Sequence, residues 1–459
     1  MNRRQFLRRA AFSGAGLLWY HCGRSALGAP AKDALRIALV GVGGRGQWFT
    51  STIPRMGHNL VALCDVDDTR NPAAYEQLPS AKKYRDFRKM LDALHAEIDA
   101  VIVATPDHTH AVACAAAIRA GKHVFCEKPL TRTVHESRAL RELARRHQVA
   151  TSMGNQGTAA GPFRRALELI RQGAIGPIRE VHVWNSEGGA NRKEPPRDGG
   201  AAPDFLDWDL WLGPAEFRPY HRQWMQRNAW RDFGTCQLGN WGSHSANLAF
   251  RALQVDKLWL DPPAAPDRPL IRIQAAHSGV NRLSFPQWET VQWTLPARAG
   301  SPSIPFTWHN GRAPGSRELI EGLLGDDLDW GDKKDKKWAD HGGALIVGAR
   351  GRIHATAHNA TFRLLPADQF QGVQVQRPES IEESRGHEQD WVIACHGGKP
   401  AWASFEYADA LNEFLMLGNL ATQIDPGTVL EFDPVAMSIV NHPGADALIR
   451  CQYRSGWTL

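Results

Sequence analysis

The chain is poor in cysteine and places none of it where a metal or a disulfide framework would need it. Its 459 residues hold seven: Cys22, Cys64, Cys114, Cys126, Cys236, Cys395 and Cys451. No pair has the close spacing of a zinc knuckle, so no metal is assigned. His221, His244, His309, His387 and Glu187 are spaced too irregularly to fix a ligand set. Long apolar runs are also missing. Beyond the first 31 residues no window of roughly 18 uncharged apolar residues occurs, which excludes a helical membrane span there. No internal repeat marks a solenoid.

Net charge is scarce once it is located. The chain carries 54 Lys and Arg against 48 Asp and Glu, a formal +6. Residues 1–31 contain Arg3, Arg4, Arg8, Arg9 and Arg24 and no acid. Without those five, 49 basic groups face 48 acidic ones. A nearly neutral body offers no electrostatic footprint for nucleic acid or an anionic membrane. The leader itself runs from a basic start through Ala10–Tyr20 to Ala29-Pro30-Ala31. It resembles a twin-arginine signal peptide over residues 1–31. The expectation is therefore a partner in the twin-arginine export machinery and a periplasmic or otherwise exported protein.

What is present begins at Leu35. Leu35–Val40 reads as a strand, and Gly41-Val42-Gly43-Gly44-Arg45-Gly46 follows at once, with Gly41, Gly43 and Gly46 in the G-x-G-x-x-G positions. A helix pattern follows, then a strand over Asn59–Cys64 that ends on Asp65. Such glycines allow a tight turn, close backbone approach to a pyrophosphate and close packing of helix on sheet, and helix amides face the phosphates. Asp65 lies 24 positions after Gly41, where a carboxylate accepts from the ribose hydroxyls and repels a 2'-phosphate. The cofactor expected is NAD, with NADP disfavoured, although Arg45 offers a phosphate contact. Further strands read at Ala100–Ala104, His123–Cys126 and Val149–Met153. Between them Thr105 to His110 reads as a loop and Ala111–Ala120 as a helix. The strand ends would line one crevice.

The glycine motif, Thr105-Pro106 with the histidines after it, and Glu127-Lys128-Pro129 together resemble the Gfo/Idh/MocA (glucose–fructose oxidoreductase, inositol dehydrogenase) family. Phe163–Gly173, Trp208–Pro214, Gly239–His244 and the stretch from Tyr407 to Leu459 continue the resemblance, the last toward its exported branch. The resemblance implies an α/β protein: an N-terminal Rossmann dinucleotide-binding domain over 32–153, then an α+β domain over 154–459. That second domain would carry a large, open-faced, mostly antiparallel sheet for substrate and oligomerisation, with a C-terminal helix and tail packed back on the fold. It also implies a homo-oligomer, dimer or tetramer. Strand patterns at Ile178–Trp184, Glu289–Leu295, Ala344–Val347 and Ile353–Ala357 agree with a sheet, as does a helix at Asp409–Leu420. Asn185–Asp204 and Asp326–Lys337 read as loops.

The resemblance assigns catalysis to Lys128 and His244. A desolvated ammonium at Lys128 would stabilise an alkoxide, and the His244 imidazole would exchange the hydroxyl proton. Glu127 would orient or pair with Lys128. Asn240 stands where many relatives have aspartate. At four residues before His244 it would orient the imidazole or bind substrate, but it supplies no negative charge. Cofactor contacts are expected from Gly41, Gly43, Gly44, Arg45, Gly46, Asp65, Thr105, Pro106, His108, His110, Glu127, Lys128 and Asn155. Substrate contacts are expected from Gln156, Tyr220, Trp230, Arg231, Asn240 and His244, with tryptophans supplying faces for a sugar. The leading expectation is NAD-dependent oxidation of a secondary hydroxyl on a sugar, glycoside or cyclitol. The alternative is a redox-neutral NAD-dependent glycoside hydrolase, which oxidises, eliminates, hydrates and reduces. A third, minor reading is a noncatalytic sugar-binding protein.

Overall fold

A computed structural model describes residues 33–262, 268–298, 302–325 and 342–459. The leader, Cys22 and the loop expected at Asp326–Lys337 lie outside the described residues.

Six short strands build the first sheet: β1 (Arg36–Val40), β2 (Asn59–Cys64), β3 (Lys82–Tyr84), β4 (Ala100–Val103), β5 (His123–Cys126) and β6 (Thr151–Met153). They pair in parallel in the order β3-β2-β1-β4-β5-β6. All four residues of β4 are buried. That is why the strand reads as a continuous apolar run: helices cover both faces of a parallel sheet. Helix α1 (Gly46–Arg55) follows β1, α2 (Asp107–Arg119) follows β4, and α3 (Val134–His147) follows β5. Thr133 and Glu136 close a capping box at the start of α3, satisfying two amides that would otherwise lack partners.

The second sheet has nine strands: β7 (Ile178–Asn185), β8 (Ile271–His277), β9 (Glu289–Leu295), β10 (Ile304–Asn310), β11 (Gly342–Gly348), β12 (Arg352–Thr356), β13 (Phe362–Leu365), β14 (Val429–Asp433) and β15 (Ser438–Ile439). Their order is β13-β12-β11-β7-β10-β9-β8-β14-β15. Only β7 and β10 pair in parallel; the other pairs are antiparallel. The sheet is open, with β13 and β15 at its edges. The sequence reading of a Rossmann sheet followed by a large, mostly antiparallel sheet holds.

One element boundary differs in a way that matters. The segment from Asp107 to His110, expected as loop, is the first turn of α2. Pro106 ends the extended stretch, and Asp107 places an acid at the helix's positive end. Turning the segment into helix buries His108 and His110.

Helix α4 (Gly161–Arg171) leads into β7. Helices α5 (His387–Cys395) and α6 (Phe405–Ala421) return to the first sheet. Trp391 of α5 packs edge-on against Phe125 of β5, and the amide of Met153 donates to the Ala403 carbonyl at 2.8 Å. Between α3 and α6, Arg138 forks onto Glu413 at 2.6 and 2.9 Å, and Trp259 Nε1 donates to the same carboxylate at 2.7 Å. Both Arg138 and Glu413 are buried. Glu413→Ala should therefore cost about 3–5 kcal/mol, because it removes the carboxylate bonded to a buried guanidinium, leaves that group backbone carbonyls and the more distant Asp409, and takes the acceptor from Trp259 Nε1. Urea unfolding checks this.

Candidate active site

The glycine turn is built by contact. Gly41 has φ +87°, and a Cβ there would lie 2.6 Å from the Ala104 carbonyl oxygen. A Cβ on Gly46 would lie 1.8 Å from the Gly41 carbonyl oxygen. The turn therefore has room for hydrogen only at these two places. Asp65, at the end of β2, accepts from the amides of Val42 at 2.8 Å and Gly43 at 3.3 Å. Burial pushes its carboxyl up, while these amides pull it down. Arg70, which no sequence motif marks, also shapes the turn. Its side chain lies across Gly43, with Cδ 2.9 Å from where a Cβ would be, and its Nε donates to Asp67 at 3.1 Å.

From this turn a cleft of about 570 Å³ runs to the second sheet's domain. Gly41, Gly43, Gly44, Arg45, Asp65, Thr105, Pro106, Glu127, Lys128, Gln156, Asn240 and His244 all line it. Gly46 supports it from behind. The shape and the glycine contacts fit a dinucleotide laid over the turn, with the phosphates toward the start of α1. When bound, NAD would supply a hydride acceptor at the far end of the cleft.

At that end Lys128 Nζ donates to the backbone carbonyl of Asn240 at 3.0 Å and also to the Asn240 side-chain oxygen. Burial lowers the Lys128 ammonium to about 8, against the pull of Glu127 and Asp107. Neither acid is bonded to the ammonium. Glu127 takes Arg45 Nε at 2.9 Å and the backbone amide of Lys128 at 3.3 Å. Asp107 takes Arg227 Nη1 at 2.5 Å and the Thr235 hydroxyl at 2.7 Å. Glu127 thus pairs with Arg45 instead of the Lys128 side chain, and Arg45 is drawn away from a phosphate role.

His244 is buried, and burial together with the Lys128 charge holds its imidazole well below the usual range. Its Nδ1 has no hydrogen-bond partner among the described residues. Asn240 therefore does not orient this ring, contrary to the four-residue spacing. Leu238–Gly242 is a turn of π-helix, which breaks the ordinary phase and turns the Asn240 amide onto Lys128. Wider turns of this kind recur at functional sites. His358 packs 4.7 Å from the His244 ring and 5.1 Å from Trp241, and it also lines the cleft. Nothing in the local sequence around His358 marks it; it arrives on the β12–β13 connection.

Several expected contacts lie elsewhere. His108 Nε2 sits 2.8 Å from the Trp211 carbonyl, its ring lies against Phe233, and burial lowers it to about 4. His110 bridges the carbonyls of Pro129 and Thr105, each at 2.8 Å, and so ties the loops after β4 and β5 together. Arg231 is buried on the carbonyls of Asn281 and Ser284. Trp230 donates to the Gln223 carbonyl at 2.7 Å, and Tyr220 packs edge-on against Trp208. None of these five lines the cleft. Asn155 is buried beside Gln156, and its side-chain carboxamide has no partner among the described residues. Of the tryptophans, Trp211 and Trp241 reach the cleft. No group of three or more His, Cys, Asp or Glu side chains among the described residues is placed to hold a metal.

Residues 35–155 match the profile described as "Oxidoreductase family, NAD-binding Rossmann fold" of the Gfo/Idh/MocA type. A "Glycosyl hydrolase family 109 protein" of Shewanella pealeana is 28% identical over 202 residues, 39% of this chain and 44% of that protein. A "1-carboxy-3-chloro-3,4-dihydroxycyclo hexa-1,5-diene dehydrogenase" of Comamonas testosteroni is 29% identical over 150 residues, 32% of this chain and 37% of that protein. The match thus spans less than half the length of these curated relatives. An inositol dehydrogenase homologue from Azotobacter vinelandii, solved with NADH and myo-inositol, superposes with a TM-score of 0.55 at 17% identity. That superposition covers 87% of this chain and 98% of that one, a likeness of fold. Over residues 35–155 the chain is thus similar to the NAD-binding Rossmann domain of the Gfo/Idh/MocA oxidoreductase family.

Proposed function

We propose that the chain is an NAD-dependent oxidoreductase acting on a secondary hydroxyl of a sugar, glycoside or cyclitol. The observation that carries this is the meeting of Lys128, Asn240 and His244 at one end of a glycine-turn cleft, in a domain of NAD-binding type. Asn240 holds Lys128 Nζ with two neutral oxygens, and burial lowers the ammonium to about 8, so the amine can lose its proton near that pH. A group titrating near 8 is well matched to taking a hydroxyl proton. His244 stays neutral and accepts a hydrogen bond from the same hydroxyl. This exchanges the emphasis expected from sequence: Lys128 moves the proton and His244 aligns it. Trp211 and Trp241 line the same cleft and offer aromatic faces to a sugar ring. Asp65 favours NAD over NADP through its charge.

A second reading is favoured by one observation, the glycosyl hydrolase name of a relative. In a redox-neutral cycle the same two residues would move the protons while a ring carbinol carbon gives its hydride to bound NAD, the aglycone is eliminated beside the ketone, water adds and the hydride returns. The basic leader supports export by the twin-arginine route, where a retained cofactor has to be regenerated in place. The family resemblance supports a homo-oligomer. Purified protein with its own bound cofactor should be incubated with a panel of aryl glycosides and no added NAD. Release of the aryl alcohol over many turnovers supports the cycle. Accumulation of reduced cofactor without release supports simple oxidation.

A further inference from the structure

We infer that Arg227 is an anion-recognition residue and that the substrate is an acidic carbohydrate whose carboxylate it binds. The inference rests on the carbohydrate reading above. Arg227 lines the substrate end of the cleft, and its side chain is 34% exposed. Only one of its nitrogens is used: Nη1 donates to Asp107 and, at 3.1 Å, to the Asn228 side-chain oxygen. Nε and Nη2 have no hydrogen-bond partner among the described residues. Those two nitrogens form one edge of the guanidinium fork, the edge that takes a carboxylate through two parallel bonds.

The residue is fixed from behind. Asp107 is fully buried, and its second oxygen is occupied by Thr235. The Arg227 carbonyl accepts from the Trp230 amide at 3.1 Å, and a Cβ on Gly234 would lie 2.5 Å from that carbonyl. The guanidinium is therefore presented without much remaining freedom, which lowers the entropic cost of binding. Asp107 occupies Nη1 alone and leaves the Nε–Nη2 edge of Arg227 open toward the cleft. A substrate carboxylate would sit on that edge, in the cleft that Trp211 and Trp241 also line.

The test uses the full-length, NAD-loaded protein and titration calorimetry. Glucuronate, galacturonate and mannuronate are each compared with their amides and parent neutral sugars, together with a sulfated hexose. At least one uronate should bind about tenfold or more tightly than its own amide, with the difference shrinking at high salt. In Arg227→Gln that ratio should fall close to one, provided the variant retains NAD and native circular dichroism. If it does not fold, because Asp107 is left unpaired, the uronate–amide comparison in the unaltered protein still decides. Equal affinity for every uronate and its amide would overturn the proposal. A sulfated hexose outbinding all uronates would overturn the carboxylate assignment. Tight uronate binding with no reduction of bound NAD would support the anion site while removing the redox reading. Reduction by neutral sugars as efficient as by uronates would do the opposite.

Discussion

Lys128→Met is expected to lose about 100- to 10,000-fold in kcat/KM for sugar oxidation, the usual contribution of a positioned acid–base group. The pH profile is the more telling readout. Burial lowers the Lys128 ammonium to about 8, so at lower pH the amine is protonated and cannot take a hydroxyl proton. The rate of oxidation should rise as pH passes through that value. In the methionine variant this limb should vanish, leaving a low and flat profile. Asn240→Asp is the companion. A carboxylate on Nζ stabilises the ammonium, so the limb should move to higher pH. A variant without Lys128 that kept the same rising limb would assign the proton to another group.

Gly46→Ala carries the second large effect. The new Cβ would lie 1.8 Å from the Gly41 carbonyl oxygen, a backbone atom that cannot swing aside. Either α1 lifts from the turn or the turn opens. Overpacking of this kind costs about 3 kcal/mol, and the opened turn no longer presents amides to a pyrophosphate. The expected outcome is a protein with a lower melting temperature that is purified without NAD, checked by native mass spectrometry. Gly44→Ala is the control. A Cβ there meets no protein atom within 4 Å, so its melting temperature should fall by no more than the strain of its positive φ.

The contrast between those two glycines shows what a sequence can carry. The turn, Asp65 and the apolar strands were legible because each is a local pattern with a local cause. The same holds for Lys128, which directly follows β5. The far side of the cleft was not legible in that way. Arg227 and Asp107 are 120 residues apart, and His358 reaches His244 only through the second sheet. Thr105 to His110 reads as one loop in the sequence, but Pro106 is the last extended residue before a helix, and the helix turns the rings of His108 and His110 inward. Arg231 and Trp230 look like cleft residues in one dimension. In three, their polar groups are used up by neighbouring carbonyls. The π-turn at Leu238–Gly242 changed the partner of Asn240 from His244 to Lys128, and a spacing rule built on ordinary helix phase has no means of seeing that.

Hydride transfer to a bound nicotinamide is the centre of this account, and isotope transfer tests it most directly. Full-length protein loaded with oxidised NAD is mixed with a panel of neutral sugars, uronates and cyclitols carrying deuterium on their carbinol carbons. The bound cofactor is then released and weighed. Deuterium is expected in the reduced nicotinamide with at least one substrate, appearing about 100-fold or more slowly in the Lys128→Met protein. Reduced cofactor without deuterium, or turnover of a substrate with no deuterium ever passing through the cofactor, would contradict it.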